Sequence, residues 1–106
     1  MQHKEILIKY TPMTETSCYI LLAIAQMPKH GYAIVQYVKS ITSNRITLGN
    51  GTLYGTISKM EKDGLITMIL NNEYKKTYEI TALGKEILLN EKKRISELNK
   101  NFEEAI

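Results

Sequence analysis

The sequence predicts a mostly α-helical fold with one small β-hairpin. Three observations lead to this class. Apolar residues recur at helical spacing in four segments, two segments rich in Ile, Thr and Tyr flank a polar turn, and 106 residues leave room for one core only. The hydrophobic fraction of 43% and the charged fraction of 24% are close to globular averages, which disfavours a disordered chain.

The first helix is predicted over residues 14–27, with Thr14 or Thr16 as its N-cap and Pro28 beyond its end. Almost every residue of Cys18–Ala25 is apolar, so this helix should be buried on most sides. The apolar run is far shorter than the roughly 20 residues that a membrane span requires. The segment therefore predicts a core helix.

The middle of the chain predicts two helices separated by a short strand. The second helix runs from Gly31 to Ile41 and ends at Ser43-Asn44, and Ile46–Leu48 is a strand candidate. The third helix runs from Thr52 to Asp63 and is stopped by Gly64 as a left-handed cap. The predicted inner stripes are Ile34, Val35, Val38 and Ile41 in the second helix, and Leu53, Ile57 and Met60 in the third.

The last part of the chain predicts a hairpin and a long helix. Residues 65–70 and 75–80 flank a turn, and a helix of about 25 residues starts at Thr81, a good N-cap. Three helices followed by a two-stranded ribbon form the winged helix-turn-helix arrangement. We therefore predict a winged-helix domain over residues 10–80 and a C-terminal dimerisation helix over residues 81–106.

The third predicted helix has an outer face that suits the major groove of DNA. Opposite its inner stripe, small residues lie toward its N-terminus and ammonium groups toward its C-terminus. Gly55 costs roughly 1 kcal/mol of helix stability relative to Ala, and a close approach to DNA accounts for it. The alternative is a solvated face on which Glu61 and Asp63 offset the lysines. The residues of the outer face are Thr52, Gly55, Ser58, Lys59 and Lys62.

The hairpin carries Lys75 and Lys76 just after its turn, with Asn71, Asn72 and Tyr74 at its tip. Amide and ammonium groups in such a wing can reach phosphates or the minor groove. An ordinary polar hairpin tip explains the same residues equally well. The charge distribution agrees with DNA as a partner, because the net charge of +3 arises entirely from residues 1–80.

The last helix has a heptad-like apolar seam. Leu88, Ile95, Leu98 and Phe102 recur at heptad spacing, interrupted by Glu91 at one inward position. The seam extends beyond the reach of a compact three-helix core, which predicts a homodimer whose partner chain also packs near Met13 and Tyr19. A helix folded back across its own domain is the alternative.

Neither a catalytic site nor a metal site is predicted. His3 and His30 are far apart and lack metal-ligand spacing, and His30 is interpreted as a turn residue ahead of the second helix. The single cysteine, Cys18, excludes an internal disulfide and is interpreted as a buried thiol, with an exposed redox thiol as the less favoured alternative. The N-terminus is too polar for a signal peptide, so we expect a cytoplasmic protein without cofactor or membrane partner.

Five stretches of the chain resemble the PadR family of transcriptional regulators, in order, through about residues 10–90. They include the triplet His-Gly-Tyr, the tetrad Gly-Thr-Leu-Tyr and the pattern Thr-x-x-Gly at the start of the last helix. The short C-terminal helix resembles that of the smaller subgroup of the family. The stretches are Thr14–Ala23, His30–Ile34, Gly51–Tyr54, Lys59–Ile66 and Tyr78–Gly84.

The resemblance implies a dimeric repressor of neighbouring genes, released by a small molecule or another stress signal. The operator of such a dimer is double-stranded, pseudo-palindromic DNA. By position, Thr52, Tyr54 and Lys59 match the DNA-facing residues of the family, and Tyr32 matches a residue near a backbone contact.

Two features depart from the family pattern. Lysines stand where the family often has arginines, so the bidentate contact of Arg with guanine is missing. The chain has no tryptophan on which a flat drug could stack. A winged helix used for protein–protein contact without DNA is the alternative function, and a gel shift on the upstream DNA discriminates between the two.

Overall fold

A computed structural model of the protein describes residues 3–72 and 75–106, in which five helices pack with one small sheet. The three strands are antiparallel in the order β1-β3-β2. The mostly α-helical winged-helix class predicted from the sequence is confirmed. The elements are α1 (His3–Lys9), α2 (Glu15–Gln26), β1 (Lys29–His30), α3 (Gly31–Ile41), α4 (Asn50–Lys62), β2 (Ile66–Asn71), β3 (Lys76–Ile80) and α5 (Ala82–Ala105).

The strand predicted at Ile46–Leu48 is wrong. This segment forms an irregular connection from which the side chain of Leu48 enters the core. The third strand is instead β1, in which Lys29 pairs with Tyr78 and His30 with Thr77 of β3. Since β3 is flanked by β1 on one side and β2 on the other, it has no free edge to offer residues 46–48.

The sequence analysis did not predict α1. Its seven residues include only one that is buried, Ile6, and seven residues are too few to show a helical period clearly. Contacts with the rest of the protein therefore determine this helix. Tyr10, which follows it, is also buried in the core.

Side chains cap the starts of three helices, as the sequence predicted for two of them. The hydroxyl oxygen of Thr14 accepts the Ser17 N–H at 3.1 Å, and that of Thr81 accepts the Gly84 N–H at 3.1 Å. His30, predicted as a turn residue, caps α3 by accepting the Ala33 N–H on Nδ1 at 3.3 Å. At the end of α4, Gly64 has a φ of 83°, as expected of a left-handed cap.

The core is built around α2, which contacts α3, α4, α5 and β3. The inner stripe predicted for α4 is buried as a whole, and that of α3 is buried except for Ile41 and partly Val35. Burial of this apolar surface is the main favourable contribution to folding. The largest fully buried side chains are Ile20, Leu21, Ile24, Ile34, Leu53, Ile57, Met60, Leu65, Ile66, Ile87, Glu91 and Val38.

A buried carboxylate fastens α1 to the end of α4. Asp63, 6% exposed, accepts hydrogen bonds from Lys9 Nζ and the Tyr10 hydroxyl, each at 2.7 Å. Burial alone would raise the pKa of Asp63, but the hydrogen bonds from Lys9 and Tyr10 outweigh burial and lower it. Burial and the neighbouring carboxylate raise the pKa of Tyr10.

A buried lysine, Lys29, lies against the C-terminal end of α2. Lys29 Nζ donates to the Ala23 carbonyl at 2.6 Å and to Gln26 Oε1 at 2.5 Å, and it lies 4.3 Å from the centroid of the Tyr37 ring. Burial lowers the pKa of Lys29. The side chain thus satisfies carbonyls that the end of α2 leaves open.

We predict that Asp63→Asn lowers the free energy of unfolding at pH 7 by about 1–2 kcal/mol, because Asn loses the charged bond with Lys9. The folded pKa of Asp63 lies below the usual value of 3.8. Its stabilising contribution is therefore complete above that value and is lost as the pH falls through the folded pKa. Urea unfolding of both proteins from neutral to strongly acidic pH should show converging stabilities. Glu5→Gln on the exposed face of α1 is the control, and equal stabilities at pH 7 would contradict the prediction.

Candidate nucleic-acid interface

A groove of about 790 Å³ separates α4 from the β2–β3 hairpin, which is the wing of the fold. The start of α3 forms one end of the groove, α4 forms one wall and the wing forms the other. The groove brings together five of the predicted DNA-binding residues, which are Tyr32, Tyr54, Ser58, Lys75 and Lys76. Elements far apart in the sequence therefore supply one continuous surface.

The outer face of α4 is a low ridge beside this groove. A Cβ atom added to Gly55 would have no neighbour within 4 Å, so the backbone is open to close approach there. The other predicted residues of the face are exposed, opposite the buried stripe of Leu53, Ile57 and Met60. The exposed residues are Thr52, Ser58, Lys59 and Lys62.

The alternative of a charge-balanced face is only partly met in the structure. Asp63 points into the protein and is bound by Lys9 and Tyr10, although its carboxylate also interacts electrostatically with Lys62. Glu61 is exposed and lines the groove toward the wing. Burial, followed by the charge of Glu61, raises the pKa of Tyr78 on the opposite wall.

Gly31 allows the start of α3 to lie against α4. A Cβ atom added to it would stand 2.6 Å from the hydroxyl oxygen of Tyr54, a distance that real side chains do not show. The His30 and Tyr32 rings stack nearby with centroids 6.5 Å apart and planes 9° apart. Tyr32 is 69% exposed and so presents its ring to the solvent at the end of the groove. The sequence analysis did not predict His30 and Gly31 as groove residues. Both belong to the triplet His-Gly-Tyr, whose third residue, Tyr32, it did predict at the interface.

The wing turn holds the two lysines beside the groove. The Asn72 N–H donates to the Lys75 carbonyl at 2.9 Å, and the Lys75 N–H donates to Asn72 Oδ1 at 2.8 Å. This reciprocal pair closes the turn, and Lys76 follows as the first residue of β3. Tyr74, predicted at the tip, lies outside the described residues.

A second surface, apolar rather than polar, lies between α2 and α5. A groove of about 530 Å³ is bordered there by Leu22 on α2 and by Leu88, Leu89 and Ile95 on α5. Further along α5, Leu98 and Phe102 are also exposed, Phe102 by 57%. The sequence analysis predicted four of these residues as a seam and missed Leu22 and Leu89, which widen it.

The other predicted interface residues differ in their accessibility. Met13 is only 8% exposed because it belongs to the core of its own chain, whereas Tyr19 is half-buried. Glu91, which interrupts the seam, is 1% exposed and accepts two hydrogen bonds from the Arg94 guanidinium, at 2.9 and 3.1 Å. Cys18 is half-buried at the same groove, and burial followed by the charge of Glu91 raises the pKa of its thiol.

Over residues 3–72 and 75–106, His, Cys, Asp and Glu side chains form no group of three that could hold a metal ion. Within the same ranges, every helix is too short or too polar to cross a membrane. Among the described residues, the groove beside α4 and the apolar face of α5 are the two surfaces that bring predicted site residues together.

Comparison with known proteins assigns this arrangement to a group of regulators. The family model described as "Transcriptional regulator PadR-like family" matches residues 20–90. A PadR-like transcription factor from Bacteroides fragilis has a TM-score of 0.74 at 22% identity, covering 86% of this chain and 89% of that chain. A PadR family transcription regulator from Clostridium difficile has a TM-score of 0.72 at 23% identity, covering 86% and 97%.

Two curated relatives have a higher sequence identity to this chain than these two structures have. An uncharacterised 37.1 kDa protein in transposon Tn4556 of Streptomyces fradiae is 31% identical over 88 residues, which are 82% of this chain and 25% of that protein. An uncharacterised protein X of Lysinibacillus sphaericus is 32% identical over 73 residues, which are 65% of this chain and 67% of that protein. The chain thus spans a quarter of the length of the Streptomyces relative.

We predict that Gly31→Ala makes the Tyr54 side chain turn away from α3, because the new methyl group would lie 2.6 Å from its hydroxyl oxygen. Since Tyr54 is 50% exposed and can move, the loss of stability should be at most about 1 kcal/mol. Gly55→Ala is the matched control, since its methyl group meets open space and should stabilise α4 by up to about 1 kcal/mol. Thermal unfolding followed by circular dichroism measures both. If Gly31→Ala unfolds at the same temperature as Gly55→Ala, the close packing of α3 against Tyr54 is not a constraint.

Proposed function

Because the chain belongs to the PadR-like family of transcriptional regulators, we propose that it binds operator DNA as a homodimer and represses transcription. The observation that supports DNA binding most directly is the groove between α4 and the wing. It gathers Lys75, Lys76 and Tyr54 beside α4, whose outer face is open to close approach at Gly55. Ammonium and hydroxyl groups on such a surface suit phosphate oxygens.

In this proposal, α4 enters the major groove. An α-helix with its side chains is about 10–12 Å across, and the major groove of B-DNA is about 12 Å wide. At Gly55 the helix backbone can come closest to the base edges. Thr52 and Ser58 offer hydroxyl groups to the bases, while Lys59 and Lys62 offer positive charge to the phosphates. Tyr32 stands at the end of the groove, where it can contact the DNA backbone.

The exposed seam of α5 supports the homodimer. Ile95, Leu98 and Phe102 place a row of large apolar side chains in water on one face of one helix, and Leu89 is exposed nearer its start. Exposed apolar surface of this extent is typical of a protein interface. Since Glu91 is already paired with Arg94, the seam contains no uncompensated carboxylate. Two copies related by a twofold axis would read a pseudo-palindromic operator, with C-terminal helix 81–106 supplying the contact.

The proposal has further parts beyond DNA binding and dimerisation. We expect the chain to act in the cytoplasm as a regulator without catalytic activity or a resident cofactor. We expect a small molecule or a stress signal to release the repression. A winged helix that contacts only another protein remains the alternative, and failure to retain any duplex in a gel shift would favour it.

We predict that DNA binding weakens steeply with salt, by roughly 10³–10⁵ between about 50 and 200 mM for about 6–10 phosphate contacts. Lys76→Ala should flatten the plot of log affinity against log salt by about one unit for each phosphate that the ammonium group neutralises. Fluorescence anisotropy with a labelled duplex measures the slope, and Lys93→Ala on α5 is the matched control. An unchanged slope in Lys76→Ala would remove this residue from the interface.

We predict that Leu98→Glu gives a monomer, because a carboxylate buried in an apolar interface without a partner costs several kcal/mol. The variant should lose operator binding at physiological salt and keep a weak, non-specific affinity at low salt. Sedimentation velocity gives the oligomeric state, with Lys93→Gln as a control on the same helix. A monomeric wild type would refute the proposed homodimer, as would a dimeric Leu98→Glu that binds operator normally.

A further inference from the structure

The helix α4 begins with the dipeptide Asn50-Gly51, and both of these residues are exposed. Asn50 is the only Asn in the sequence that a glycine follows. A Cβ atom added to Gly51 would have no neighbour within 4 Å, so open space lies beside its backbone. The start of α4 therefore places a primary amide next to an accessible backbone nitrogen.

The backbone N–H of Gly51 is one of the donors that a helix leaves open at its first turn. The first backbone hydrogen bond of α4 runs from the Leu53 N–H to the Gly49 carbonyl, at 3.0 Å. Gly49 is the N-cap residue and offers no side chain to the open donors. Among the described residues, no hydrogen bond therefore holds the nitrogen that follows Asn50.

An asparagine followed by a glycine is chemically prone to deamidation, because the glycine places no side chain in the way of the reaction. In this reaction the backbone nitrogen of Gly51 would lose its proton and attack the side-chain carbon Cγ of Asn50. The new bond joins these two atoms, the bond from Cγ to Nδ2 breaks, and ammonia leaves. Water then opens the five-membered imide at either carbonyl, which gives aspartate or isoaspartate without oxidation or reduction.

Helical geometry opposes the attack, since Asn50 must rotate away from its helical angles before the Gly51 nitrogen can reach Cγ. Little structure resists this rotation at the start of α4. Residues 46–49 form no helix or strand, an exposed glycine stands on each side of Asn50, and the first turn lacks a side-chain cap. Because helix ends of this kind open locally at a low cost in free energy, the folded protein can reach the reactive geometry.

The other end of α4 carries a related dipeptide, Asp63-Gly64, whose reactive atoms are held. Asp63 is 6% exposed, and its carboxylate is bound by Lys9 and Tyr10, each at 2.7 Å. The Gly64 N–H donates to the Glu61 carbonyl at 3.2 Å. An ionised carboxylate is also a poorer target for a nitrogen than a neutral amide is. The reaction is thus favoured at the start of α4 and opposed at its end.

We propose that Asn50 is a site of spontaneous deamidation, and that this reaction converts the protein into a form that binds DNA more weakly. The second part rests on the proposed DNA-binding function. In that function the first residues of α4 lie nearest the base edges, between two phosphate backbones. Deamidation would place the first carboxylate in this turn, and isoaspartate would add one carbon atom to the main chain just before Gly51 and Thr52.

Two variants separate the reaction from its effect. Asn50→Asp copies the aspartate product and should remain folded, because a negative charge is favourable at the start of a helix. Gly51→Ala hinders the attack, and its methyl group meets open space in the folded protein. Asn44 is the internal control, since it is exposed and lies outside the helices but is followed by Arg45.

The experiment stores the full chain at neutral and at mildly alkaline pH. Peptide mass spectrometry follows the loss of each amide, and an isoaspartyl methyltransferase assay detects isoaspartate. We expect Asn50 to lose its amide at least about tenfold faster than Asn44, and Gly51→Ala to slow the loss at position 50 at least about tenfold. The loss should be faster at the higher pH, because the attacking nitrogen must give up its proton.

DNA affinity is measured by anisotropy at about 100 mM salt, with a duplex that the fresh wild type selects from a random-sequence library. We expect Asn50→Asp to bind at least about fivefold more weakly than the wild type, with an unchanged or higher melting temperature. The affinity of the stored wild type should fall in step with its modified fraction. Stored Gly51→Ala should keep the affinity of its own fresh sample.

The outcomes separate this proposal from the proposed function. If Asn50 keeps its amide for as long as Asn44 does, the modification is refuted. If the amide is lost but the stored wild type and Asn50→Asp bind like the fresh wild type, the effect on DNA binding is refuted. If the fresh wild type selects no duplex, the DNA-binding function itself is refuted, while the mass measurement still decides whether Asn50 is modified.

Discussion

The burial of one stripe of α4 is the constraint on which the rest of the structure depends. Leu53, Ile57 and Met60 lie in a core that α4 shares with α2, α3 and β2. Since side chains around a helix are about 100° apart, fixing this stripe also fixes where every other residue of α4 points. Gly55 must then lie on the outer ridge. Ser58 must line the groove beside the wing, while Lys59 lies on the opposite flank of α4.

The ends of α4 are held by contacts that come from distant parts of the chain. At the start, the absence of a side chain at Gly31 leaves room for the Tyr54 ring beside the beginning of α3. At the end, Asp63 receives Lys9 and Tyr10 from the N-terminus. Buried and doubly hydrogen-bonded, this carboxylate links α1 to the helix that we propose to enter DNA. Rotation of α4 would break both contacts.

The helix α5 is buried at its start and exposed toward its end. Its first turns belong to the core, where Ile87 is fully buried and Gly84 fits so closely beneath the Leu65 carbonyl and Ile80 that no Cβ atom could be added. Its later turns expose Ile95, Leu98 and Phe102. The transition occurs near the pair of Glu91 and Arg94. A charged residue is tolerated at a buried position there because both oxygens of the carboxylate are hydrogen-bonded within the same helix.

Periodicity and turn chemistry could be recognised in the sequence because they are local. The segments of α2 to α5, the caps at Thr14 and Thr81, the left-handed Gly64 and the buried stripe of α4 all follow from residues within a few positions of each other. These patterns were sufficient to predict the winged-helix class. They also placed the proposed DNA-facing residues on the outer side of α4, because an inner stripe implies an outer one.

Contacts between distant residues were decided only by the tertiary structure. The pairing of β1 with β3, in place of a strand at Ile46–Leu48, depends on which segment lies beside β3, on the side away from β2, in space. The burial of Asp63 and the existence of α1 depend on partners more than 40 residues away along the chain. A sequence pattern carries no record of such partners, because a lysine has the same local signature in solvent and against a buried carboxylate. Local patterns thus determined α2 to α5 and the hairpin, whereas long-range packing determined α1, β1 and which polar residues share a surface.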